Sequence, residues 1–233
     1  MKIAVMQPYI FPYIGYFQLI NAVDYFVIYD DVNFIKGGWV NRNRILINGK
    51  DSFLTIPCIN KSPNKLIKDV NVDVSSKEFK NLLKTICLAY KKSKHFNEVY
   101  PLIEDILKTK EVSIADLAVK SIKKICNYLD IKTEIKIASI DFHDSKGQER
   151  AERLITICEK LKSESYINAI GGVDLYQKEI FSQKGVKLNF LKTNQIIYEQ
   201  FQNEFIPWLS IIDTLMFNSK EEIVVMLNNY DLV

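Results

Sequence analysis

Short apolar runs alternate with stretches of helical periodicity along the chain, which predicts a protein built from both strands and helices. Residues 3–6 form an apolar run of the length of a buried strand, and a Gln-Pro-Tyr turn separates it from a helical pattern over residues 17–22. A second apolar run, residues 25–29, ends at two adjacent carboxylates, Asp30 and Asp31. The opening segment therefore predicts a strand, a helix and a second strand.

The same alternation returns later in the chain, after a helical middle. Helical periodicity runs through residues 76–130, where three amphipathic segments follow one another. An Asn-Gly pair at residues 48–49 lies between two apolar runs and predicts a hairpin turn. Further strands are predicted over residues 70–74, 135–140, 165–169 and 187–191, and further helices over residues 147–161, 173–183, 210–216 and from Lys220 onward.

This order of elements predicts an α/β protein with a parallel-sheet core and a helical insertion in the middle of the chain. We expect residues 1–233 to form a single domain, in which residues 76–130 are a helical subdomain packed on the α/β core.

Charge and composition argue against several classes of protein. The net charge of +3 is spread over the chain without a basic run, so DNA is not expected as a partner. No stretch approaches about 18 apolar residues and the N-terminus has no signal-peptide pattern, so we expect a cytoplasmic protein without membrane insertion. The four cysteines form no C-x-x-C pair and the two histidines lie far apart, so no metal site is predicted.

The ends of the first two predicted strands form the first candidate site. Parallel strands in such a unit place their carboxyl ends at one edge of the sheet, where ligands bind. Either carboxylate, Asp30 or Asp31, could bind Mg²⁺, accept a proton or hold a sugar hydroxyl; the alternative is a solvated turn or a helix N-cap. We expect this crevice to include Gln7, Tyr9, Asp30 and Asp31, with Pro12 and Gly15 shaping the loop between the strands.

A segment rich in cations and amides follows at residues 36–44. Arginine can grip a phosphate through two N–H groups and lysine supplies a point charge, so Arg42 and Lys36 predict phosphate binding. Trp39 could stack on a base or a sugar, and Asn41 could orient the sugar. The alternative is an ordinary β-turn with exposed cations, and the spacing of a P-loop is absent.

The segment Tyr13-Ile14-Gly15-Tyr16 is similar to the H-x-G-H signature of nucleotidylyltransferases, which also follows a first strand and opens the first helix. Tyrosines stand in place of both histidines, and a tyrosine can hydrogen-bond a phosphate or simply pack. If the similarity extends to the fold, the core is a nucleotidylyltransferase-like sheet.

Aromatic and polar residues gather again at residues 198–213. Ser210 and Asp213 have the spacing of a helix N-cap and its N3 partner, which is the structural interpretation of the pair. Ligand binding, together with Gln200, is the other interpretation. The Gly-Gly pair at residues 171–172 could either admit a ligand or turn the chain.

With these residues in view, the chain resembles the WbqC-like family, whose members typically occur among bacterial genes for O-antigen and other surface polysaccharides. The resemblance spans nearly the whole chain and identifies it as a single WbqC-like domain. It is carried by Gln7-Pro8-Tyr9, Pro12, Gly15-Tyr16, Asp24, Asp30-Asp31, Lys36, Trp39, Asn41-Arg42-Asn43-Arg44, Pro57, Tyr90, Tyr166, Tyr176, Tyr198, Gln200, Phe205, Pro207, Ser210-Ile211-Ile212-Asp213 and Leu215.

The resemblance implies an enzyme of surface polysaccharide biosynthesis that acts on a nucleotide-linked amino sugar, by transferring an acyl or aminoacyl group, such as glycyl, to the sugar amine. The carboxylate must first be made reactive by ATP with Mg²⁺, as a thioester or as an aminoacyl-tRNA, and the choice among these donors stays open. The alternatives are a nucleotidyltransferase-like enzyme and a non-catalytic sugar-nucleotide binding module. The expected catalytic residues are Asp30, Asp31 and Arg42, and the expected substrate-binding residues are Gln7, Tyr9, Pro12, Gly15, Tyr16, Lys36, Trp39, Asn41, Asn43, Gln200, Ser210 and Asp213.

Overall fold

Strands and helices alternate at both ends of the chain in a computed structural model that describes residues 1–110, 112–202 and 204–233. Between these ends lies a run of three helices. In chain order the elements are β1 (Lys2–Met6), α1 (Ile14–Asn21), β2 (Tyr25–Ile28), β3 (Arg42–Ile47), β4 (Lys50–Thr55), β5 (Cys58–Ile59), β6 (Asn71–Val72), α2 (Lys77–Tyr90), α3 (Phe96–Leu107), α4 (Ile114–Tyr128), β7 (Glu134–Ile137), α5 (Ala138–Asp141), α6 (Arg150–Lys160), β8 (Ser165–Ala169), α7 (Lys178–Ser182), β9 (Lys187–Thr193), α8 (Ile211–Phe217), α9 (Lys220–Met226) and β10 (Tyr230–Leu232).

Six of these strands form a mainly parallel sheet in the order β10-β9-β8-β1-β2-β7. In its register, Ile3 of β1 lies between Tyr25 of β2 and Tyr166 of β8, and β10 runs antiparallel to β9. The chain builds outward from β1 through β2 to β7, then crosses back to place β8 on the other side of β1. The prediction of an α/β fold with a parallel-sheet core and helices in the middle of the chain is confirmed.

Alternation of apolar residues along the strands divides the core between the two faces of the sheet. Ala4 and Phe26 belong to a cluster that includes the buried sides of α1 to α4, α8 and α9. Val5 and Val27, one residue further along, belong to a second cluster with α5, α6 and α7. The period-two pattern of a strand places neighbouring side chains on opposite faces, so both faces of this sheet are covered, as parallel sheets require.

Local sequence signals account for several element boundaries. Ser113 caps α4 in a capping box, because its hydroxyl accepts from the Asp116 N–H while the Asp116 carboxylate accepts from the Ser113 N–H. The predicted hairpin is confirmed as β3–β4, whose turn holds Asn48 and Gly49 at φ of 51° and 73°. Both residues therefore adopt the left-handed conformation that a tight two-residue hairpin turn needs.

Three element predictions were wrong in part. The strand predicted over residues 135–140 ends at Ile137 and continues as helix α5. The helix predicted over residues 173–183 is helical as α7 only over Lys178–Ser182. The strand predicted over residues 70–74 is shortened to two residues, and β10 was not predicted at all.

Candidate functional site

Two adjoining pockets open beside the carboxyl ends of β1 and β9, and we name them together the aromatic cleft. The inner pocket has a volume of about 190 Å³ and the outer pocket about 260 Å³, and both use Tyr13 and Trp208 as walls. Tyr9, Pro12, Tyr13, Trp39, Asn43, Arg44 and Trp208 line the outer pocket. Tyr13, Ile14, Thr193, Asn194, Gln195, Ile196, Tyr198, Phe205, Pro207, Trp208, Leu209 and Thr214 line the inner pocket. Four residues that the sequence predicts for substrate binding, Tyr9, Pro12, Trp39 and Asn43, thus lie together.

Tyr13 is the partition between the two pockets. It occupies the position before α1, and its ring meets Trp208 edge-on with 5.9 Å between the ring centroids. Burial raises the pKa of its hydroxyl, and a hydrogen bond with Thr193 at the end of β9 partly offsets that rise. A Cβ at Gly15 would lie 2.3 Å from the Tyr13 ring and 2.5 Å from Thr193 Oγ1. The glycine lets the start of α1 approach the end of β9, which sets the position of Tyr13.

The other shared wall, Trp208, has a constrained backbone and an exposed ring. Its φ of 62° lies in the left-handed region that a bulky residue seldom adopts. Arg44 donates from Nη2 to the Trp208 carbonyl at 3.4 Å and from Nη1 to the Asp51 carboxylate at 2.9 Å. Arg44 Nε is buried and has no hydrogen-bond partner among the described residues. The wall of the outer pocket therefore includes a cation whose side chain is 27% exposed.

Asp213 is buried next to the inner pocket, where neutral donors surround it. Tyr198 and Gln200 each donate to its Oδ1 at 2.7 Å, and Tyr90 donates to its Oδ2 at 2.9 Å. Burial raises the pKa of Asp213 to about 6, although the three hydrogen bonds pull it down. The Tyr90 hydroxyl also accepts from the Leu46 N–H at 2.9 Å, so the carboxylate ties α8 to α2 and to β3.

Ser210 and Gln200 organise the segment that leads into α8. The Ser210 hydroxyl accepts from the Ile212 N–H at 3.2 Å and donates to the Phe11 carbonyl at 2.7 Å. Gln200 accepts from the Ile206 N–H through Oε1 and donates to the Ile206 carbonyl through Nε2. Ser210 is therefore the N-cap that its spacing predicts, and it also joins α8 to the loop after β1.

Arg42 lies under the loop that carries Trp39. It donates from Nε to the Gly38 carbonyl at 3.2 Å and from Nη2 to the Gly37 carbonyl. Its guanidinium also stacks 4.3 Å from the ring centre of Phe53. These contacts hold the loop against β4, while Lys36 of the same loop is exposed.

Asp30 and Asp31 both point into the protein, each 4% exposed. The Asp30 carboxylate accepts from the N–H of Ser139 at 2.9 Å and from its hydroxyl at 2.5 Å, and so caps the start of α5. The Asp31 carboxylate forms a buried ion pair with Arg153 of α6, with 2.7 Å between Nη2 and Oδ2. The structure thus places both carboxylates at a strand end, as predicted, where they anchor α5 and α6.

The remaining predicted site residues lie around the loop after β1. The Gln7 carbonyl accepts from the Tyr16 hydroxyl at 2.9 Å, and Gln7 Oε1 is a buried atom with no partner among the described residues. Tyr16 is buried in the core. Asn41 donates to the Ile56 carbonyl at 2.8 Å, and Asn43 donates to the Phe11 carbonyl at 2.9 Å.

Residues 193–196 and Trp208 contribute to the cleft but were not among the predicted site residues. Pairing between β8 and β9, and the long return of the chain from β9 to α8, bring them to Tyr13. The aromatic clustering around residues 198–213 was the available signal for Trp208. Nothing local distinguishes residues 193–196, because their position follows from the sheet order.

Among the described residues, no group of three or more His, Cys, Asp or Glu side chains is placed to hold a metal ion. In the same residues, no helix has the length and apolar character needed to cross a membrane.

The fold and the cleft define an open α/β protein with a ligand-sized, aromatic-lined cleft at the carboxyl edge of its sheet. Residues 7–225 match the WbqC-like protein family, and the chain belongs to that family. The chain is 28% identical over 220 residues to the uncharacterized protein Rv1507c of Mycobacterium tuberculosis, covering 93% of each chain. No solved structure matches the chain significantly.

Proposed function

We propose that the protein transfers an acyl or aminoacyl group to the amine of a nucleotide-linked amino sugar, which binds in the aromatic cleft. The observation that carries this proposal is the outer pocket, where three kinds of group meet: aromatic faces, the amide of Asn43 and the guanidinium of Arg44. Flat aromatic faces bind bases and sugar rings, and a guanidinium binds phosphate. A nucleotide-linked sugar contains a base, a sugar ring and phosphate groups, which are the ligand parts that these protein groups bind.

Each part of the acceptor has a candidate partner in the cleft. Trp39 and Trp208, with 42% and 53% of their surfaces exposed, can cover the base or the sugar. The Arg44 side chain, 27% exposed at the wall of the outer pocket, can bind the phosphate, and Asn194 and Gln195 offer amides to sugar hydroxyls in the inner pocket. An inner pocket of about 190 Å³ suits a sugar ring better than a nucleotide.

Under this proposal, the three expected catalytic residues, Asp30, Asp31 and Arg42, support the structure around the cleft. Asp30 and Asp31 hold α5 and α6 against the sheet, because their carboxylates are engaged with Ser139 and Arg153. Arg42 holds the Trp39 loop in place through the Gly37 and Gly38 carbonyls.

The test of the reaction is a mass-spectrometric assay of product formation. Uridine- and thymidine-diphosphate amino sugars are incubated with the protein and three donor classes in turn: amino acid with ATP and Mg²⁺, acyl thioester, and aminoacyl-tRNA. A gain in mass equal to the acyl group supports the proposal. The matched N-acetylated sugar nucleotide should bind without reacting, because its amine is blocked. If the free-amine sugar nucleotide binds but gains no mass with any of the three donors, the protein is a sugar-nucleotide binding module and not an acyltransferase.

Calorimetry on two arginine variants tests the phosphate contact. Arg44→Met should weaken binding of the sugar nucleotide on the order of 10-fold or more, and the loss should shrink as salt rises because a charge contact is removed. Arg42→Met is the matched control: it alters the Trp39 loop, so any loss of affinity should be independent of salt. Equal salt dependence in the two variants would assign the phosphate to another group.

A second candidate function is nucleotidyl transfer, which the position of Tyr13 favours. Tyr13 follows β1 and directly precedes α1, which is the position of the first residue of the nucleotidylyltransferase signature. Tyr13 also lines both pockets of the cleft. Pyrophosphate release from a nucleoside triphosphate in the absence of any amine acceptor would favour this function over acyl transfer.

A further inference from the structure

Tyr198 lines the inner pocket and is hydrogen-bonded to the buried Asp213. Its hydroxyl donates to Asp213 Oδ1 at 2.7 Å and lies 3.3 Å from the Thr214 hydroxyl. Tyr198 and Thr214 both line the inner pocket, so the two residues whose hydroxyls meet beside Asp213 belong to the pocket lining. Asp213 itself is fully buried, directly behind that wall.

We infer that Tyr198 is a catalytic residue of the proposed acyl transfer, and that it passes the proton of the attacking amine to Asp213 behind it. This inference rests on the proposed function, and it names the groups that remove the proton. Amide formation requires such a group, because the amine nitrogen carries a proton that it must lose as the C–N bond forms.

The chemical step balances with an activated acyl donor of the ester, thioester or acyl-adenylate class. The sugar amine attacks the acyl carbon and the new C–N bond forms. The bond from that carbon to the donor's leaving group breaks, and the leaving group departs with the electron pair. In the same step the amine proton moves to the Tyr198 oxygen while the Tyr198 hydroxyl proton moves to the Asp213 carboxylate.

The surroundings of Asp213 suit a proton acceptor that works near neutral pH. Within the described part of the chain, the titratable groups that contact it are Tyr90 from α2 and Tyr198 from the segment before α8, and its third partner is the neutral amide of Gln200. Burial in these neutral surroundings raises the pKa of Asp213 to about 6, within the range in which a carboxylate can take up a proton at neutral pH. The same burial raises the pKa of Tyr198 well above its usual range, so the tyrosine relays a proton and stores none.

Two tyrosines bonded to the same carboxylate offer a matched test. Tyr198→Phe and Tyr90→Phe each remove one hydroxyl from Asp213, but only Tyr198 lines the inner pocket. Turnover of the free-amine sugar nucleotide is measured for both variants from pH 5 to pH 8, with calorimetric binding and melting temperature recorded beside it. Asp213→Asn is the third variant.

For a relay, kcat of Tyr198→Phe should fall on the order of 100-fold while KM and sugar-nucleotide affinity change little. Tyr90→Phe should keep kcat within a few-fold, and its pH midpoint should rise, because its lost hydrogen bond had lowered the pKa of Asp213. In the parent protein kcat should rise with a midpoint near pH 6, and Asp213→Asn should abolish that dependence.

Equal losses of kcat in the two phenylalanine variants would overturn the relay and leave the proposed acyl transfer standing. So would an unchanged pH profile in Asp213→Asn. A parent protein that binds the sugar nucleotide but acylates it from no donor class would overturn both. The two failures are therefore distinguishable.

Discussion

A buried carboxylate with no ion pair among the described residues affects both the chemistry and the stability of this protein. Asp213 is fully buried and its three partners, Tyr90, Tyr198 and Gln200, are neutral. Hydrogen bonds satisfy its oxygens but do not cancel the free-energy cost of burying its charge. The folded protein therefore holds a proton on Asp213 at pH values where the unfolded chain has lost it.

This difference predicts how stability depends on pH. An unfolded aspartate has a pKa of about 3.9, and burial raises that of Asp213 to about 6, so its effect makes the folded state less stable as pH rises from about 4 to about 6. The free energy of unfolding of the parent protein relative to Asp213→Asn should fall by about 3 kcal/mol across that window. Urea denaturation at pH 4, 5, 6 and 7 measures it. Parallel curves for the two proteins would contradict the prediction.

Sequence reasoning located several important residues without finding their contacts. The N-cap role of Ser210 was predictable, because spacing along a helix determines it. That Asp31 pairs with Arg153 was not predictable, since the two residues approach only when β2 and α6 pack in three dimensions. The local sequence thus predicts that a polar residue lies at a strand end, whereas its contacts depend on the tertiary fold.

At the scale of elements, the approach of α1 to β9 shapes the cleft. Gly15 sits between the Tyr13 ring and Thr193 with no room for a methyl group. Gly15→Ala should lower the free energy of unfolding by about 1–3 kcal/mol, because one of the two side chains must move. It should also weaken binding in the cleft, since Tyr13 is a wall of both pockets.

Gly171→Ala provides the matched control for this variant. A Cβ there meets nothing within 4 Å, so its stability should stay within about 0.5 kcal/mol of the parent. Chemical denaturation of both variants measures the difference. Similar stabilities for the two would mean that the start of α1 can move away from β9 at little cost.

The partly wrong element predictions have tertiary causes as well. The pattern of residues 135–140 favours a strand, but the Asp30 carboxylate binds the N–H and hydroxyl of Ser139 and starts a helix there. β10 is only three residues long and carries little pattern of its own, yet β9 offers it an edge to pair with. The strongly periodic helices α2 and α4 were predictable, because burial of one face agrees with their sequences.

At the scale of the whole molecule, β10 is the strand at one edge of the sheet and covers the edge of β9. Phe190 and Val233 exchange hydrogen bonds of 2.8 and 2.9 Å, and Gln18 of α1 donates to the carbonyls of Met226 and Asn229. The C-terminal residues thus join β9 to α1, the helix that begins directly after Tyr13.

Removing residues 230–233 should expose the edge of β9. An unpaired edge strand is a template for pairing with another chain, so the truncated protein should melt at a lower temperature and self-associate. Sedimentation velocity across a concentration series measures the association, and Asp231→Ala, which keeps the backbone, is the control. A truncated protein that melts like the parent and stays at the same sedimentation coefficient would show that β10 is dispensable.

The position of β1 in the sheet also determines when the molecule can fold during synthesis. β1 is made well before its second neighbour, β8, which begins at Ser165. Until the ribosome has released that part of the chain, one side of an apolar central strand has no partner, and pairing between such distant segments is slow. The strand order that creates the cleft therefore delays completion of the sheet until β8 has left the ribosome.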